Sequence, residues 1–382
     1  MARAVLVSAG EASGDLYAAM LVKELRSNWP DAAFFGCAGP RMREAGVEPI
    51  VRSEDLAVVG LVEVVGHLPA IYGEYRKLIA AAHDRRPELA ILTDSPDFHL
   101  RVARQLKKLG TRVVYLVAPQ VWAWRKGRLP LMRRVIDRLL CIFPFEEEFF
   151  RKHDVPASYI GHPLAGLVKP SLERAEFFRK HRLAPNRQLV TILPGSRKGE
   201  AARHLPALTH TVEQIYQQQA MHFLLPASVT TGAEFFRERL GHSPIQVLEG
   251  ETWDAIAHAD LALAASGTVT VEAALLGTPM VTFYKVNALS WAAGRLLVRV
   301  PFYSMVNLVA ERAIVPELMQ NQLTGERLAA NALWLLRDDA SRERMRADLG
   351  EVARRLSGDG RAMENAATLV QELMEGQAAH VS

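Results

Sequence analysis

The stretch Val5-Leu6-Val7-Ser8-Ala9-Gly10-Glu11-Ala12-Ser13-Gly14-Asp15 decides the fold of this chain. An apolar β-like run ends in a turn bracketed by glycines, and a helical pattern of apolar residues begins immediately after it. The turn carries Glu11, Ser13 and Asp15, so polar groups stand where open α/β sheets bind ligands, at the carboxyl ends of their strands. We therefore predict a strand, a ligand-binding loop and a helix at the start of the chain.

A second junction of the same kind, Ile192-Leu193-Pro194-Gly195-Ser196-Arg197, lies about halfway along the chain. Strand-like and helical patterns alternate before this junction and again after it, which favours parallel sheets with helices on both faces. We therefore predict an α/β fold of two Rossmann-like, doubly wound domains that face a cleft. The predicted strands cover residues 4–8, 33–37, 89–94, 113–117, 139–143, 159–161, 189–193, 222–225, 246–248, 261–264 and 280–283.

The domain boundaries follow from where this alternation stops and restarts. We assign residues 1–165 to an N-terminal domain and residues 166–357 to a C-terminal domain. Gly358-Asp359-Gly360 then breaks a helical stretch that is rich in Arg and Glu. We expect the last segment, residues 358–382, to contain a helix that folds back onto the N-terminal domain.

The composition is that of an ordinary globular protein, because 49% of the 382 residues are hydrophobic and 23% are charged. Cys37 and Cys141 both stand in apolar strand-like runs, which predicts reduced core thiols of a cytosolic protein. Residues 261–284 contain a single charge and are long enough to span a bilayer. Their glycines, proline and threonines favour instead a buried strand, loop, helix, loop and strand.

The net charge is only +4, but the basic residues are clustered within residues 101–112 and 125–138. These runs are compatible with solvated helix faces. They are equally compatible with a surface near anionic lipid or a phosphorylated substrate, and the sequence leaves both open. Nucleic acid is less favoured, since no recognised nucleic-acid motif is present.

Asp94 ends a predicted strand, and Ser95-Pro96 after it has the pattern of a helix N-cap and first helical residue. Asp97 then stands in the first helical turn, where the helix dipole favours a carboxylate. Asp94 has no such structural explanation. A carboxylate at a strand end is a candidate general base, and hydrogen bonding to neighbouring loop amides is the alternative.

Two loops of the C-terminal half have the pattern of an anion site. Gly195, Ser196 and Arg197 follow a buried strand and precede a helix, so close backbone approach, helix N–H groups and a bidentate donor all suit a diphosphate. Gly267 and Thr268 repeat this arrangement before the next helix. The first loop is not a P-loop, because the required glycine and lysine pattern is absent.

Glu272 lies one turn into an otherwise apolar helix, where an unpaired carboxylate is costly. It predicts either a hydrogen bond to the helix start or an acceptor for two sugar hydroxyls. The histidines lack metal-ligand spacing, and no D-x-D pair ends a strand. We therefore expect neither a metal nor a cofactor.

Two helical stripes combine apolar, aromatic and basic residues. Trp291, Arg295 and Arg299 follow at intervals of four beside an apolar stripe, and Leu68 and Tyr72 belong to a second stripe. Helices of this kind lie in a membrane interface or pack on their own domain. The pattern alone does not distinguish these alternatives.

Eight short motifs, taken in order, resemble the lipid-A-disaccharide synthase family. They begin at Ala9, Gly36, Asp94, Pro119, Phe143, Gly161, Leu193 and Ala265 and read AGEASGD, GCAGPRM, DSPDF, PQVWAWR, FPFE, GHP, LPGSR and ASGT. With the polar positions that follow, the resemblance extends from about residue 5 to residue 320. It implies an inverting glycosyltransferase with the two-domain architecture called GT-B.

The resemblance also implies the reaction and its setting. The family transfers 2,3-diacylglucosamine from UDP-2,3-diacylglucosamine to 2,3-diacylglucosamine 1-phosphate, which gives the β-1,6-linked lipid A disaccharide 1-phosphate and UDP. The N-terminal domain is then expected to bind the acceptor and lipid, and the C-terminal domain the UDP-sugar. We expect a cytoplasmic enzyme, peripheral on the inner face of the inner membrane of a Gram-negative bacterium. A homodimer is compatible with the sequence.

Residue roles follow from the same resemblance. Asp94 is expected to deprotonate or orient the acceptor 6-hydroxyl. Arg197 and the amides near Gly267 and Thr268 are expected to stabilise the departing diphosphate, and Glu272 to hold the ribose hydroxyls. The other expected substrate contacts are Glu11, Ser13, Gly195, Ser196, Asn307, Glu317 and Gln320.

Three other interpretations of the sequence compete with this one, of which the weakest is a scaffold at the membrane surface. The first is a GT-B enzyme that acts on UDP-N-acetylglucosamine, such as an epimerase. The Trp-Ala-Trp-Arg and Gly-Glu-Ala-Ser-Gly-Asp runs argue against it. The second is a non-catalytic protein that binds a UDP-sugar or a lipid, and the joint presence of Asp94, Arg197 and Glu272 argues against that.

Overall fold

The computed structural model describes residues 3–56, 64–287, 291 and 300–376. The chain divides into two compact units. The N-terminal unit consists of Met1–Gly166 together with Ser357–Ser382, and the C-terminal unit is Leu167–Leu356. Each unit is built around one parallel β-sheet.

Strands and helices alternate through the N-terminal unit, as predicted. In chain order they are β1 (Ala4–Ala9), α1 (Ala12–Asn28), β2 (Ala33–Ala38), α2 (Pro40–Glu44), β3 (Glu48–Arg52), α3 (Ser53–Leu56), α4 (Val64–Arg85), β4 (Leu89–Thr93), α5 (Pro96–Lys108), β5 (Arg112–Leu116), α6 (Leu129–Val135), β6 (Arg138–Cys141), α7 (Pro144–Arg151) and β7 (Ala157–Tyr159). The strands form a parallel sheet of order β3-β2-β1-β4-β5-β6-β7.

The C-terminal unit repeats this plan. Its elements are α8 (Arg174–Lys180), β8 (Leu189–Leu193), α9 (Lys198–Gln218), β9 (His222–Ala227), α10 (Ala233–Leu240), β10 (Ile245–Glu249), α11 (Thr252–Ala257), β11 (Leu261–Ala265), α12 (Thr268–Leu275), β12 (Met280–Tyr284), α13 (Met305–Ala310), β13 (Glu317–Met319), α14 (Gly325–Arg337) and α15 (Asp339–Ser357). The strands form a parallel sheet of order β10-β9-β8-β11-β12-β13.

In each sheet the strand order reverses beside the first strand of the unit. β1 lies between β2 and β4, and β8 lies between β9 and β11. Such a reversal opens a crevice at the carboxyl ends of the strands, where ligands of open α/β sheets bind. The register pairs Ala9 with Thr93 and Leu193 with Ala264, so the loops that follow begin at the same level.

The central strands are apolar because helices cover both faces of each sheet. Every residue of β4 and of β11 is buried. The thiols of Cys37 and Cys141 are buried and free, as predicted, and burial raises the pKa of Cys37 to about 12. Residues 261–284 form β11, α12 and β12, so the buried interpretation of this apolar run is confirmed.

The sequence prediction misses two strands at sheet edges. β3 reads Glu48-Pro49-Ile50-Val51-Arg52, and its proline and charges are tolerated because an edge strand lacks ladder bonds on one side. β13 has only three residues, too few for a period to be recognised. The predicted strand 159–161 is observed at Ala157–Tyr159, since Gly161 turns the chain with a φ of 89°. The other strand ends differ from the prediction by at most two residues.

The last helix, α16 (Ala362–Glu375), belongs to the N-terminal unit. It packs against α1 and β6, which confirms the predicted return of the C-terminal helix. Its buried face includes Ala366 and Val370, neither of which exposes any surface. The N-terminal unit is therefore assembled from two segments that are far apart in the chain.

We expect Val370→Asp to lower the midpoint of thermal unfolding by roughly 5–10 °C, because the substitution buries an unpaired carboxylate at this packed face. Glu372→Ala changes an exposed position of the same helix and serves as the control. Differential scanning calorimetry of both variants tests the expectation. Equal midpoints for the wild type and Val370→Asp contradict the packing of α16.

Candidate active site

Asp94 lies at the carboxyl end of β4, where the sheet order of the N-terminal unit reverses. Its φ is 55°, and that of Ser95 is 36°, so two consecutive residues other than glycine adopt the left-handed conformation. Each such residue costs on the order of 1–3 kcal/mol and persists only where its surroundings fix it. Ser95 is the N-cap residue of α5, as expected, but its side chain makes no capping hydrogen bond.

The left-handed turn directs the Asp94 carboxylate at the first loop. Gly10 N donates to both carboxylate oxygens, at 2.9 and 3.1 Å, and Glu11 N donates to one of them at 3.0 Å. Burial nevertheless dominates and raises the pKa of Asp94 to about 7, while the backbone donors oppose that rise. The result is a carboxyl group that titrates near neutral pH at the ligand-binding edge of a sheet.

The glycine spacing of the first loop follows from this contact. A Cβ atom at Gly14 would lie 1.9 Å from Asp94 Oδ2, far inside van der Waals contact. Gly14 is therefore required because the Asp94 carboxylate occupies the space of a side chain. The first motif and the Asp94 motif form one structural feature, although 80 residues separate Gly14 from Asp94 in the chain.

Asp15 has a structural role in the same unit. Its carboxylate accepts hydrogen bonds from Arg41 N at 2.8 Å and Met42 N at 3.1 Å, and so caps the start of α2. A Cβ at Gly39 would lie 2.4 Å from Asp15 Cγ, so a side chain there has no room. This contact joins the first motif to the Gly36–Met42 motif.

Glu11 and Ser13 lie at the start of α1, next to the Asp94 contact, and both are exposed. Glu11 is the N-cap residue of this helix. Glu11 takes part in the Asp94 contact through its backbone N–H, and both residues are exposed at the end of β1.

The motif that contains Asp94 contacts the Trp-Ala-Trp-Arg motif of the same unit. Asp97 accepts a hydrogen bond from Arg125 at 2.9 Å and also pairs with Arg128. The guanidinium of Arg125 stacks on the exposed ring of Trp124, 4.3 Å from its centroid. Part of the basic run 125–138 is thus neutralised locally rather than left as an open cationic surface.

Glu146 is a buried carboxyl group that the sequence analysis missed. It accepts from the indole nitrogen of Trp122 at 3.1 Å and from Phe143 N at 3.2 Å. Burial raises the pKa of Glu146 to about 8. The ring of Phe145 packs edge-on against Trp122, with centroids 5.0 Å apart, so Glu146 fixes an aromatic cluster.

In the C-terminal unit, Gly195, Ser196 and Arg197 form the loop between β8 and α9. Gly195 has a φ of 111°, and a Cβ there would lie 2.4 Å from Glu200 Oε2. Ser196 and Arg197 are exposed, and Arg197 is the N-cap residue of α9. The loop thus offers backbone and guanidinium donors at the start of a long helix, the arrangement of an anion site.

The buried side chain of His204 connects this loop to the segment after β12. The sequence analysis did not anticipate this role. His204 Nδ1 lies 2.8 Å from Pro194 O, and Lys285 N donates to Nε2 at 3.0 Å. The side chain is fully buried, and burial lowers its pKa. Because Nε2 accepts from Lys285 N, the ring is neutral. The sequence did contain a signal for this role. His204 lies three residues after Ala201 and four before Leu208, so it shares the buried face of the helix with apolar residues.

Gly267 and Thr268 begin α12 and are exposed. Gly267, the N-cap residue, has no side chain to cap this helix, and Thr270 N donates to Gly267 O at 3.0 Å. Glu272, one turn further, is partly buried, and burial raises its pKa, while the side chain of Trp253 opposes that rise. The group beside this carboxylate is therefore on α11.

Asn307 and Glu317 hold the loop between β11 and α12, called the α12 loop below, and Gln320 holds the segment after β12. Asn307 is fully buried, and its amide donates to Val315 O and Glu317 Oε1 and accepts from Ile314 N and Val315 N. All its hydrogen-bonding positions are thus used within the protein. With its amide oriented to suit both groups, Gln320 pairs with the backbone N and O of Val286 at 3.0 and 3.2 Å.

Glu317 connects Asn307 to the α12 loop. It accepts from Tyr303 N and Ser304 N, each at 2.9 Å. Tyr303 O in turn accepts from Ser266 Oγ at 3.0 Å, immediately before Gly267. Asn307 and Glu317 therefore fix the position of the α12 loop, in addition to any contact with a substrate.

The residues predicted to meet a membrane are only partly described. Tyr72 on α4 has 61% of its surface exposed and stacks on Tyr75. Trp291 packs on Tyr303. Leu68 lies in α4, while Arg295 and Arg299 fall outside the described residues.

Within residues 3–56, 64–287, 291 and 300–376, no helix has the length and apolar character needed to cross a bilayer. The same part of the chain contains no group of three or more His, Cys, Asp or Glu side chains placed to hold a metal ion.

The family described as lipid-A-disaccharide synthetase matches residues 5–372. The chain belongs to this family. A lipid-A-disaccharide synthase from Solibacter usitatus is 68% identical over 378 residues, 99% of each chain. Another from Geobacter metallireducens is 42% identical over 97% of each chain. A third, from Acidobacterium capsulatum, is 41% identical over 98% of this chain and 97% of its own.

Solved structures confirm the GT-B architecture predicted from the sequence. The glycotransferase of kitacinnamycin is 18% identical, with a TM-score of 0.65 over 97% of this chain and 98% of its own. UDP-GlcNAc 2-epimerase from Neisseria meningitidis is 10% identical, with the same TM-score over 98% of this chain and all of its own. At these identities the likeness concerns the fold alone. The family membership makes this chain a glycosyltransferase of lipid A biosynthesis.

We expect Gly14→Ala to reduce kcat by about 10²-fold or more, because the added methyl group displaces the Asp94 carboxylate by the order of 1 Å. Gly350→Ala is the matched control, since the nearest atom to its Cβ is 3.8 Å away in an ordinary helix. Steady-state kinetics and circular dichroism of the two variants test this. Full activity of a folded Gly14→Ala protein contradicts the assigned packing.

Proposed function

We propose that this enzyme joins 2,3-diacylglucosamine, taken from UDP-2,3-diacylglucosamine, to the 6-hydroxyl of 2,3-diacylglucosamine 1-phosphate. The observation that carries this proposal is the Asp94 carboxyl group, held by two loop amides and titrating near neutral pH in a member of this family. A base of that pKa can accept the hydroxyl proton at physiological pH.

The proposed reaction forms one bond and breaks another at C1 of the donor sugar. The acceptor oxygen forms a bond to C1 of the donor sugar from the face opposite UDP, and the C1–O bond to the diphosphate breaks with inversion. The proton of the 6-hydroxyl goes to Asp94, and the electron pair of the broken bond leaves with UDP. Catalysis then depends on a base for the nucleophile and on cationic or N–H donors for the leaving group.

The C-terminal unit is proposed to bind the donor. Arg197, Gly195 and Ser196 on the α9 loop, with the N–H groups at Gly267 and Thr268, are proposed to stabilise the charge that grows on the departing diphosphate. Glu272 is proposed to hold the ribose hydroxyls, beside the Trp253 side chain on α11. Asn307, Glu317 and Gln320 support this site by holding the α12 loop and the end of β12.

The N-terminal unit is proposed to bind the lipid-linked acceptor, with Glu11 and Ser13 contributing contacts beside Asp94. Acylated substrates reside in a bilayer, so the enzyme is proposed to act in the cytoplasm at the inner face of the inner membrane. Exposed Tyr72, with Leu68, Trp291, Arg295 and Arg299, is proposed to contact that surface. A homodimer remains compatible with this arrangement.

We expect Asp94→Asn to lower kcat by about 10²–10⁴-fold, because asparagine keeps the shape of the side chain but cannot accept the proton. The assay is acceptor-dependent release of UDP from UDP-2,3-diacylglucosamine in detergent, with UDP binding measured separately by calorimetry. Asp97→Asn is the control, since this carboxylate is exposed and pairs with arginines. It is expected to retain activity within about threefold.

Two outcomes contradict the proposal. If the wild type releases no UDP from the acylated donor but converts unacylated UDP-N-acetylglucosamine in a parallel reaction analysed for sugar products, the protein is assigned to the epimerase-like alternative. Undiminished UDP release by Asp94→Asn keeps the transferase but removes the base from Asp94.

We expect the pH dependence of kcat/KM to contain an acidic limb. A base must be ionised to act, and burial raises the pKa of Asp94 to about 7, so activity falls as the pH drops below about 7. Rates measured from about pH 5 to pH 9 locate this limb, and the residual activity of Asp94→Asn is expected to lack it. A limb centred near 4, the ordinary value for aspartate, contradicts the assignment.

A further inference from the structure

The backbone carbonyl of Asp94 accepts two buried hydrogen bonds, a feature that the proposed mechanism does not use. Tyr115 on β5 donates its hydroxyl to Asp94 O at 2.5 Å. His99 on α5 places Nδ1 3.0 Å from the same oxygen. Tyr115 and His99 are both fully buried. Two side chains from different elements thus converge on one atom of the residue that carries the proposed base.

The partners of the two ring nitrogens determine the tautomer of His99. Nε2 lies 2.8 Å from Ser8 Oγ on β1. Burial lowers the pKa of His99 to about 4, so the ring is neutral at working pH and carries one N–H. Asp94 O can only accept, so the proton is on Nδ1, and the Ser8 hydroxyl donates to Nε2.

The left-handed turn at Asp94 and Ser95 explains why hydrogen bonds to the Asp94 carbonyl are needed. Two consecutive left-handed residues are unfavourable by themselves and relax unless contacts hold them. Rotation of the Asp94 peptide would carry the carboxylate away from Gly10 N and Glu11 N. The network of Ser8, His99 and Tyr115 prevents this rotation because it ties β1, α5 and β5 to the Asp94 carbonyl.

We propose that Tyr115 and His99 are positioning residues that clamp the Asp94 carbonyl and thereby hold the Asp94 carboxylate in its reactive orientation. This inference rests on the proposed function of Asp94. Neither side chain is proposed to touch a substrate, since both are buried beneath the turn. The clamp therefore acts on kcat and not on substrate affinity.

Tyr115→Phe tests the first half of the clamp, because it removes one hydroxyl and keeps the ring in the core. We expect kcat to fall by about tenfold or more, while KM for both substrates stays within about twofold. The matched control is Thr111→Val. Thr111 Oγ1 donates to Pro87 O at 2.8 Å, a buried hydroxyl-to-carbonyl bond at the opposite ends of the same two strands. The control is expected to lose similar thermal stability and to keep kcat.

Two amide substitutions at His99 test the second half. In His99→Asn the side-chain NH₂ stands near the former Nδ1 and can still donate to Asp94 O. In His99→Gln the amide reaches toward Ser8 instead and leaves Asp94 O without this donor. We expect His99→Asn to retain kcat within about threefold and His99→Gln to lose about tenfold or more. Both variants are polar and of similar volume, so a merely structural role predicts equal losses.

Hydrogen exchange provides a readout that is independent of catalysis. The amides of Gly10 and Glu11 donate to the Asp94 carboxylate, so their exchange is expected to speed up in Tyr115→Phe and His99→Gln. It is expected to stay unchanged in Thr111→Val and His99→Asn. If faster exchange appears in a protein whose wild type releases no UDP, the clamp stands and the proposed function fails.

Unchanged exchange and unchanged kcat in Tyr115→Phe overturn the clamp, whatever the wild-type activity. Equal losses of kcat in Tyr115→Phe and Thr111→Val also overturn it, because a general loss of stability then explains both. Equal losses in His99→Asn and His99→Gln overturn the contribution of His99.

Discussion

The structure of the N-terminal unit depends on one contact, that of the Asp94 carboxylate with the amides of Gly10 and Glu11. A buried anionic group needs donors, and here the donors are backbone N–H groups at the end of the neighbouring strand. The contact requires a left-handed turn after β4 and a residue without a side chain at Gly14. The motif at residues 9–15 and the motif that begins at Asp94 are therefore required by the same contact, although they are distant in sequence.

The two units place the polar groups at their strand ends differently. In the N-terminal unit a titratable group is drawn inward, and burial moves its pKa toward neutrality. In the C-terminal unit the loops present their donors outward, while buried groups such as His204 and Asn307 hold the loops from behind. The first arrangement suits proton transfer and the second suits binding of an anion, which matches the division of labour proposed for the reaction.

The sequence was sufficient for the architecture because parallel sheets leave a strong signal in alternating apolar runs and helical patterns. It also singled out Asp94 and the α9 and α12 loops as candidate site residues, since polar residues at the ends of buried strands stand out. It did not single out Tyr115, His99, His204 or Glu146, which form buried hydrogen bonds near these motifs. These side chains act through partners that are distant in sequence, and a lone buried histidine or tyrosine in an apolar run looks like ordinary core. Asn307 was found for its polarity, but only its four internal hydrogen bonds reveal what it supports.

The return of α16 to α1 has a consequence for synthesis of the chain. A ribosome that has finished residue 166 must still translate roughly 200 residues before α16 emerges, which takes on the order of 10–40 s. During that interval the surface of α1 that α16 later covers is open to solvent. The C-terminal unit can fold as a contiguous segment in the meantime. The unit that is synthesised first is thus the last to be completed.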